Sequence, residues 1–414
     1  MQGLFAETVT GLEAKLEAAG PDELVARKTL TLQTARLGER LFSGREPVAW
    51  CGVLAPFELL HAVGVTSCFA EFVGATLAGA ADVGPFVEAA EQSGYPNDAC
   101  TYHRAVAGAT LQGLMPEPAF LVATSTPCSG GVALLEEMAR HFRRPLFVIH
   151  IPHRDDEAAV LHLAYQLERL VDFVSEHRGQ RLDPLELRNA IELSNEAREL
   201  LVETYELASA VPTPARRRDL INFGIVISLC FGTREGVEVA RAYRDEFARK
   251  VERGIGGCPG ERLRLLWIQN RVQFRSPIEG LLERDYGAAV VADELNAITW
   301  DPIDPEDPFP GLARRMLASP FTGGIEGRIG GVQRMARQYR VDGAINPCHW
   351  GCRQGTGARG LMAAGLREID VPVLNLEVDC VDQRNFSEGQ VRTRLQAFME
   401  MLGERQRRFV GRAH

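Results

Sequence analysis

The sequence predicts an α/β fold with two parallel sheets, one in each half of the chain. Short apolar or β-branched runs bounded by Gly and Pro alternate with amphipathic helical segments, a pattern typical of parallel strands with helices on both faces. The alternation occurs twice, on either side of residues 154–210, which carry no strand signal. The predicted strands are 47–54, 64–69, 119–125 and 145–151 in the first half, and 263–268, 287–293, 341–346 and 371–378 in the second.

Helical segments precede, separate and follow these strands. Residues 8–43 have helical apolar spacing that breaks at Gly20 and Pro21. The middle segment predicts two long helices, the second beginning at the cap and N1 pair Asp183–Pro184. Residues 254–260 are a loop by composition, and an amphipathic helix over 388–402 closes the chain.

The chain's 414 residues exceed what one hydrophobic core normally organises, so we expect more than one domain. The expected division is a helical N-terminal segment, 1–45, a first α/β domain with its helical connector, 46–210, and a second α/β domain, 211–414.

Charge and hydropathy argue against nucleic-acid and membrane partners. The chain has 46 basic and 55 acidic residues, a net charge of −9, which opposes binding to polyanions. Its N-terminus lacks the features of a secretion signal, and no apolar run approaches the roughly 20 residues that span a bilayer. The sequence therefore predicts a cytoplasmic protein, in which the nine cysteines are not expected to form disulfides.

Several cysteines are predicted to meet in one cleft. Cys128 follows the strand 119–125 and precedes a helix, Cys352 has the corresponding place after the strand 341–346, Cys100 leads into another helix, and Cys380 follows the last strand. Ligands of open parallel sheets bind beyond the carboxyl ends of the strands. Thiolates at these positions, beside helix N-termini, indicate a metal or cluster site assembled from distant segments. Their spacing alone does not distinguish iron from zinc.

An ordered set of segments resembles a known family. The segments are LAPFELLHAVG at 54–64, PNDAC at 96–100, ATSTPC at 123–128, YRVDG at 339–343, HWGCR at 349–353, VPVLNLEVD at 371–379 and TRLQAFMEML at 393–402. Together they resemble the subunits of 2-hydroxyacyl-CoA dehydratases, benzoyl-CoA reductases and double-cubane-cluster proteins.

The resemblance implies two flavodoxin-like, doubly wound domains with a [4Fe–4S] cluster between them, held by Cys100, Cys128 and Cys352. It implies an enzyme that works with a related second subunit, or as a homodimer, and with an ATP-hydrolysing iron–sulfur activator. The cluster would pass one electron to the thioester carbonyl of an acyl-CoA, giving a ketyl radical that expels the 2-hydroxyl group. A cluster with three protein ligands leaves one iron open to substrate.

Alternatives remain open at the cluster. Cys348 could replace Cys352 as the third ligand, although the spacing from Cys352 to residue 371 suits the family better. Cys51, Cys348 and Cys380 could add ligands for a double-cubane [8Fe–9S] cluster, which would favour a benzoyl-CoA-type or double-cubane reductase. A third hypothesis makes this chain a partner that shapes the cleft while a sister subunit holds the reacting cluster.

Other residues suggest acid–base or nucleotide roles. His103 and His349 adjoin the predicted ligands and could donate a proton to a leaving hydroxide. Glu58 could serve as an acid if apolar surroundings raise its pKa, although we expect an exposed side chain. The glycine pattern at 355–360 would suit an NAD-linked oxidoreductase, but it begins nine positions after the predicted strand end at Asn346.

Overall fold

All eight predicted strands are present, and they form two four-stranded parallel sheets. The computed structural model describes residues 2–20, 24–80, 82–226 and 230–410. The first sheet contains β1 (Val48–Cys51), β2 (Thr66–Phe69), β3 (Phe120–Thr124) and β4 (Leu146–Ile149), and the second contains β5 (Leu263–Trp267), β6 (Ala288–Asp293), β7 (Gly343–His349) and β8 (Val373–Val378).

Both sheets have the same strand order. It is β2-β1-β3-β4 in the first sheet and β6-β5-β7-β8 in the second, with every neighbouring pair parallel. Successive strands are therefore added first on one side of the starting strand and then on the other. This reversal falls between β1 and β3 in the first sheet and between β5 and β7 in the second. In open parallel sheets such a reversal leaves a crevice beyond the carboxyl ends of these two strands. The predicted α/β architecture with two parallel sheets is confirmed.

Fifteen α-helices surround these sheets in the part of the chain that the structure describes. They are α1 (Gln2–Glu17), α2 (Ala26–Ser43), α3 (Phe57–Ala62), α4 (Ala70–Ala80), α5 (Gly84–Gln92), α6 (Thr101–Leu111), α7 (Ser129–Phe142), α8 (Glu157–Arg178), α9 (Pro184–Ala208), α10 (Arg217–Ile225), α11 (Arg234–Glu252), α12 (Pro308–Leu317), α13 (Ile325–Gln338), α14 (Arg353–Glu368) and α15 (Glu388–Val410).

The predicted helical segments are confirmed where the structure describes them. Asp183 caps α9 by accepting a hydrogen bond from the Leu185 N–H, and Pro184 takes the first helical position. Residues 254–260 form a loop. The predicted break in the N-terminal helical stretch falls partly outside the described residues, because Pro21 is not among them.

The two sheets share helices in their cores. Helix α12 follows the second sheet's first strands in the chain, yet Leu312 and Met316 on it pack in the core against β1, β3 and α8. Helix α9 contributes Ile191 to that core and Leu201 to the core of the second sheet. Helix α2 also packs against the second sheet's core through Leu30. The division at residues 45 and 210 stays a prediction.

Candidate active site

A cavity of about 1360 Å³, here called the central cavity, opens between the two halves. Both sheets contribute residues that follow their strands, including Glu71 and Cys128 from the first half and Gln269 and Cys352 from the second. Partly buried aromatic side chains add apolar surface: Phe69, Phe72, Tyr102, Trp300 and Phe321. A concave, largely apolar site with a few polar groups is typical of small-molecule binding.

Cys128 stands at the reversal point of the first sheet. After β3 ends at Thr124, the chain passes through a cis peptide bond between Thr126 and Pro127, and Cys128 then caps α7. Burial raises the pKa of the Cys128 thiol, while the backbone N–H groups of Gly131 and Gly130 favour its thiolate. Because Cys128 is the N-cap residue of α7, its thiol lies at the positive end of that helix's dipole.

Cys352 has the corresponding position in the second sheet. Strand β7 runs to His349, and Cys352 then caps α14, with its Sγ accepting a hydrogen bond from the Gly355 N–H at 3.4 Å. A second donor, Nε2 of Gln269, lies 3.4 Å from the same sulfur. Gln269 follows β5, so the residues that converge on Cys352 come from the two strands that flank the reversal point.

Cys100 reaches the same cavity from a helical crossover. Cys100 takes the N-cap position of α6. The loop before Cys352 packs closely against the Cys100 backbone, because a Cβ on Gly351 would lie 2.7 Å from the Cys100 nitrogen. Burial, and then the neighbouring Cys352, raises the pKa of the Cys100 thiol. The three predicted ligands Cys100, Cys128 and Cys352 thus line one cavity, and each begins a helix.

His349 is fully buried beneath Cys100. Its Nδ1 accepts the Cys380 N–H at 2.9 Å, so the neutral ring carries its proton on Nε2, which lies 3.5 Å from Cys100 Sγ. Burial lowers the pKa of His349 to about 4, although the nearby Asp379 opposes this shift. Both ring nitrogens are therefore engaged inside the protein, and the ring presents an N–H to the Cys100 sulfur.

The other three predicted cluster cysteines lie away from the cavity lining. Cys51 lies within β1 and Cys348 within β7, where burial raises the pKa of the Cys348 thiol to about 11. Cys380 follows β8 and is also fully buried. The prediction that the strand ends at Asn346, before Cys348, is wrong, since β7 continues to His349. Within the described ranges, no group of three His, Cys, Asp or Glu side chains is placed to hold a single metal ion.

Glu58 differs from both expectations for it. Its side chain is fully buried, not exposed, and it pairs with Arg315 and accepts a hydrogen bond from Ser194 Oγ at 2.5 Å. Burial alone would raise the pKa of Glu58, but the Arg315 charge and these hydrogen bonds together lower it. The prediction of a raised pKa is therefore wrong. The pair joins α3 to α12, and Arg315 lies between Glu58 and the cavity.

His103 lies on the cavity lining, and its neighbour Glu71 went unnoticed in the sequence. His103 Nε2 is 3.6 Å from Glu71 Oε1, and both side chains are mostly buried. Glu71 Oε2 is buried and has no hydrogen-bond partner among the described residues. Glu71 is the second residue after β2, so its position beyond a parallel strand was the signal that could have identified it.

Asn270 is the counterpart of Glu71 on the opposite wall. It lines the cavity just beyond β5, and its Nδ2 is buried without a partner in the part of the chain that the structure describes. Two residues of the cavity lining therefore carry a buried polar atom without a partner in the described part of the chain, a donor in Asn270 and an acceptor in Glu71. Such groups suit a ligand that carries both a carbonyl and a hydroxyl group.

The glycine pattern at 355–360 lies inside α14 and does not form the turn before it. Strand β7 ends at His349, six positions before Gly355, so the nine-position distance argued from the predicted strand end is wrong. The pattern nevertheless differs from a dinucleotide fingerprint, in which the glycines form the strand-to-helix turn. Such fingerprints use an acidic residue after the next strand to hold the ribose. The acidic residue here, Glu377 in β8, pairs with Arg359.

No helix in the described ranges is both long and apolar enough to cross a membrane.

Comparison with known proteins gives one family over most of the chain. A family model described as 2-hydroxyglutaryl-CoA dehydratase, D-component, matches residues 53–402. The (R)-phenyllactyl-CoA dehydratase alpha subunit of Clostridium sporogenes is 24% identical over 86% of this chain and 90% of its own length. A benzoyl-CoA reductase subunit of Thauera aromatica is 26% identical over 78% and 81%. The (R)-2-hydroxyisocaproyl-CoA dehydratase alpha subunit of Clostridioides difficile is 22% identical over 87% and 91%.

Proposed function

Because this chain belongs to the 2-hydroxyglutaryl-CoA dehydratase D-component family, we propose that it is one subunit of an iron–sulfur-dependent 2-hydroxyacyl-CoA dehydratase. Relatives named as dehydratase alpha subunits, matched over most of their length, support this reaction. The common strand order of both sheets, 2-1-3-4, supports domains of flavodoxin-like type. The acyl group of the substrate differs among the relatives, so the proposal covers the class of 2-hydroxyacyl-CoA thioesters.

One observation carries the proposal: Cys100, Cys128 and Cys352 come from distant segments and each begins a helix on the wall of one cavity. Thiolates are the ligands of iron–sulfur clusters, and helix N-termini offset their negative charge. Each cysteine of a [4Fe–4S] cluster binds a different iron, so the sulfur atoms do not have to converge on one ion. The donor set therefore fits such a cluster, with these three cysteines as its ligands.

When bound, such a cluster would supply one electron to the thioester carbonyl, so that a substrate ketyl radical could expel the 2-hydroxyl group as hydroxide. Loss of the C3 proton and return of the electron would complete the elimination of water. The residues of this chain would hold the substrate and handle the proton. Asn270 Nδ2 is free to donate to a substrate oxygen, and Glu71 Oε2 is free to accept from a hydroxyl group. His103, whose Nε2 lies 3.6 Å from Glu71 Oε1, would protonate the departing hydroxide.

His349 and Glu58 have other roles in this proposal. Since His349 points Nε2–H at Cys100 Sγ and binds the Cys380 N–H through Nδ1, it holds the ligand cysteine and its ring is closed to substrate. Glu58 is held by Arg315, and we assign it to fixing that guanidinium at the cavity wall. Arg27 and Arg353 are exposed residues at the cavity lining, and cations there suit the phosphates of coenzyme A.

Partners follow from the same proposal. Relatives are named as alpha subunits of dehydratases or as a subunit of benzoyl-CoA reductase, which supports a related second subunit, with a second copy of this chain as the other possibility. An ATP-hydrolysing iron–sulfur activator would supply the electron. A benzoyl-CoA-type reductase is the second candidate, favoured by the Thauera relative, and a double-cubane [8Fe–9S] cluster would need Cys51, Cys348 or Cys380 as further ligands.

The first test is the metal content of the protein purified without oxygen. We expect about four irons and about four sulfides per chain, whereas a double cubane would give about eight irons. Cys100→Ser, Cys128→Ser and Cys352→Ser should each lose most of the iron. Cys230→Ser is the matched control, because Cys230 is a buried thiol absent from the cavity lining, and it should keep full iron content.

The second test is turnover with the partner subunit and activator present. We expect the wild-type chain to release water from one of a panel of 2-hydroxyacyl-CoA esters, and Cys128→Ser in this chain alone should abolish turnover. Full turnover by Cys128→Ser would instead assign the reacting cluster to the sister subunit. A colourless, iron-free wild-type protein would overturn the proposal.

A further inference from the structure

Cys352 receives a side-chain hydrogen bond from a residue that is itself tightly held. Nε2 of Gln269 lies 3.4 Å from Cys352 Sγ, and the Gly355 N–H provides a second contact at 3.4 Å. The Gln269 side chain is buried, with 5% of the residue exposed. In a site with little water, a hydrogen-bond donor that faces a sulfur stabilises negative charge on that sulfur.

The orientation of the Gln269 amide is fixed by its other neighbour. Arg328 Nη2 donates to Gln269 Oε1 at 2.9 Å. Because a guanidinium has no acceptor, the amide oxygen must face Arg328, and the NH₂ group must therefore face the sulfur. Exchanging the two ends of the amide would place two donors against each other.

Arg328 is held just as firmly as the amide that it orients. Its Nε and Nη2 bond the two oxygens of Glu294 at 2.7 and 2.9 Å, and its guanidinium lies 4.9 Å from the centre of the Phe321 ring. Arg328 and Glu294 are both buried. A continuous series of hydrogen bonds therefore runs from Glu294 through Arg328 and Gln269 to the Cys352 sulfur.

The backbone of Gln269 also departs from the usual conformation. Its φ is +51°, in the left-handed region that residues with a side chain rarely adopt. Such a conformation persists only where the surrounding contacts determine it. The side-chain bonds from Gln269 to Arg328 and Cys352 are two such contacts, and they form two residues after the end of β5.

We propose that Gln269 is a positioning residue that orients Cys352 and, through its Nε2–H donor, raises the reduction potential of the cluster bound there. This inference rests on the proposed function. Reduction adds negative charge that is partly carried by the ligand sulfur, so a donor to that sulfur stabilises the reduced state. Cys128, the corresponding cysteine of the first half, receives backbone N–H groups instead.

The test compares midpoint potentials of iron-loaded variants in anaerobic redox titrations followed by electron paramagnetic resonance. Gln269→Met removes the donor at similar length, and we expect a more negative potential, equivalent to a roughly tenfold smaller equilibrium constant for reduction. Gln269→Glu keeps an acceptor for Arg328 but turns a carboxylate oxygen towards the sulfur, so its potential should fall further. Gln333→Met is the matched control, because Gln333 donates to the Gly365 carbonyl and should leave the potential unchanged.

The outcomes separate this inference from the proposed function. A wild-type protein without a cluster overturns both. A loaded wild type whose two Gln269 variants keep four irons and the wild-type potential overturns only the role of Gln269. Variants that fold but lose their iron would support the orienting role at Cys352 and overturn the proposed effect on the potential. A shift in Gln269→Glu alone would still support it if Gln269→Met failed to fold.

Discussion

The two halves of the molecule share a strand order and a place for a cysteine, but they treat the nearby carboxylates differently. Near Cys352, both oxygens of Glu294 bond Arg328. Near Cys128, Glu71 has only His103 at 3.6 Å, and its Oε2 lacks a partner among the described residues. The repeated topology thus determines where a thiol can stand. The side chains around it determine which carboxylate is already paired, and here Glu294 is paired and Glu71 retains an oxygen without a partner.

The largest expected effect comes from breaking the satisfied pair. Arg328→Met leaves Glu294 buried without its partner, so we expect the free energy of unfolding to fall by about 3–5 kcal/mol. The matched change in the first half, Glu71→Gln, should cost less than about 1 kcal/mol, because no strong partner is lost. Urea unfolding followed by circular dichroism measures both. Equal losses would contradict the contrast between a paired Glu294 and an unpaired Glu71.

Glycines beside the two cysteines give the next comparison. Gly351 has a φ of +76°, and a Cβ on it would lie 2.7 Å from the Cys100 nitrogen. A Cβ on Gly130 would meet side-chain atoms, the His103 ring at 3.1 Å and Cys128 Sγ in ordinary contact at 3.8 Å. Gly351→Ala should therefore cost roughly 2 kcal/mol or more, since the left-handed backbone alone costs about 1–2 kcal/mol. Gly130→Ala should cost about 1 kcal/mol or less, because a side chain can shift.

Iron content sharpens this second comparison. Since the Gly351 loop sets Cys352 against the Cys100 backbone, Gly351→Ala should reduce the iron retained after anaerobic purification, while Gly130→Ala should retain most of it. The opposite ranking of the two variants, in stability or in iron, would show that the contact between Gly351 and Cys100 does not organise the site.

The same regions show what could be read from the sequence. Apolar runs bounded by Gly and Pro identified all eight strands, and the rule that ligands bind beyond parallel strands placed Cys128 and Cys352. The continuation of β7 through Pro347 and Cys348 was missed, because those residues are not typical of a buried strand. The strand end, and with it the position of Cys348, was therefore predicted wrongly.

Pairs that depend on tertiary contact could not be predicted. Glu58 and Arg315 are 257 positions apart, and nothing in the spacing near Glu58 indicates that a guanidinium will lower its pKa. Glu71 and Gln269 stand beyond strands that were predicted correctly, so the rule that located the cysteines could also have identified them. The partners of these two residues, in contrast, required the folded chain.

A smaller, pH-dependent effect should report on a contact that joins the halves. His61 Nδ1 donates to the Phe231 carbonyl at 2.9 Å, and burial lowers the pKa of His61. Below the ordinary pKa of about 6.5 the unfolded chain binds a proton that the folded chain does not, so protonation favours unfolding and stability falls as the pH falls. His61→Gln keeps a donor but does not titrate.

We therefore expect His61→Gln to be less stable than the wild type at pH 7.5, with the difference shrinking at pH 5. Thermal unfolding at the two pH values measures this. The control is His150→Gln at an exposed position, which should change the free energy of unfolding by less than about 0.5 kcal/mol. If the stability difference between His61→Gln and the wild type were equal at the two pH values, His61 would titrate alike in the folded and the unfolded chain.

The smallest expected effect concerns two cysteines near the carboxyl ends of central strands, Cys51 in β1 and Cys348 in β7. Both are buried inside their sheets, so replacement by alanine should cost about 1 kcal/mol in each half, the usual cost of losing one buried heavy atom. Neither replacement should change the iron content, because neither thiol lines the central cavity.

If Cys348→Ala alone lost iron while Cys51→Ala kept it, Cys348 would replace Cys352 as third ligand. If both lost about half of a content near eight irons, a double cubane would explain the data, and the reductase would become the better proposal.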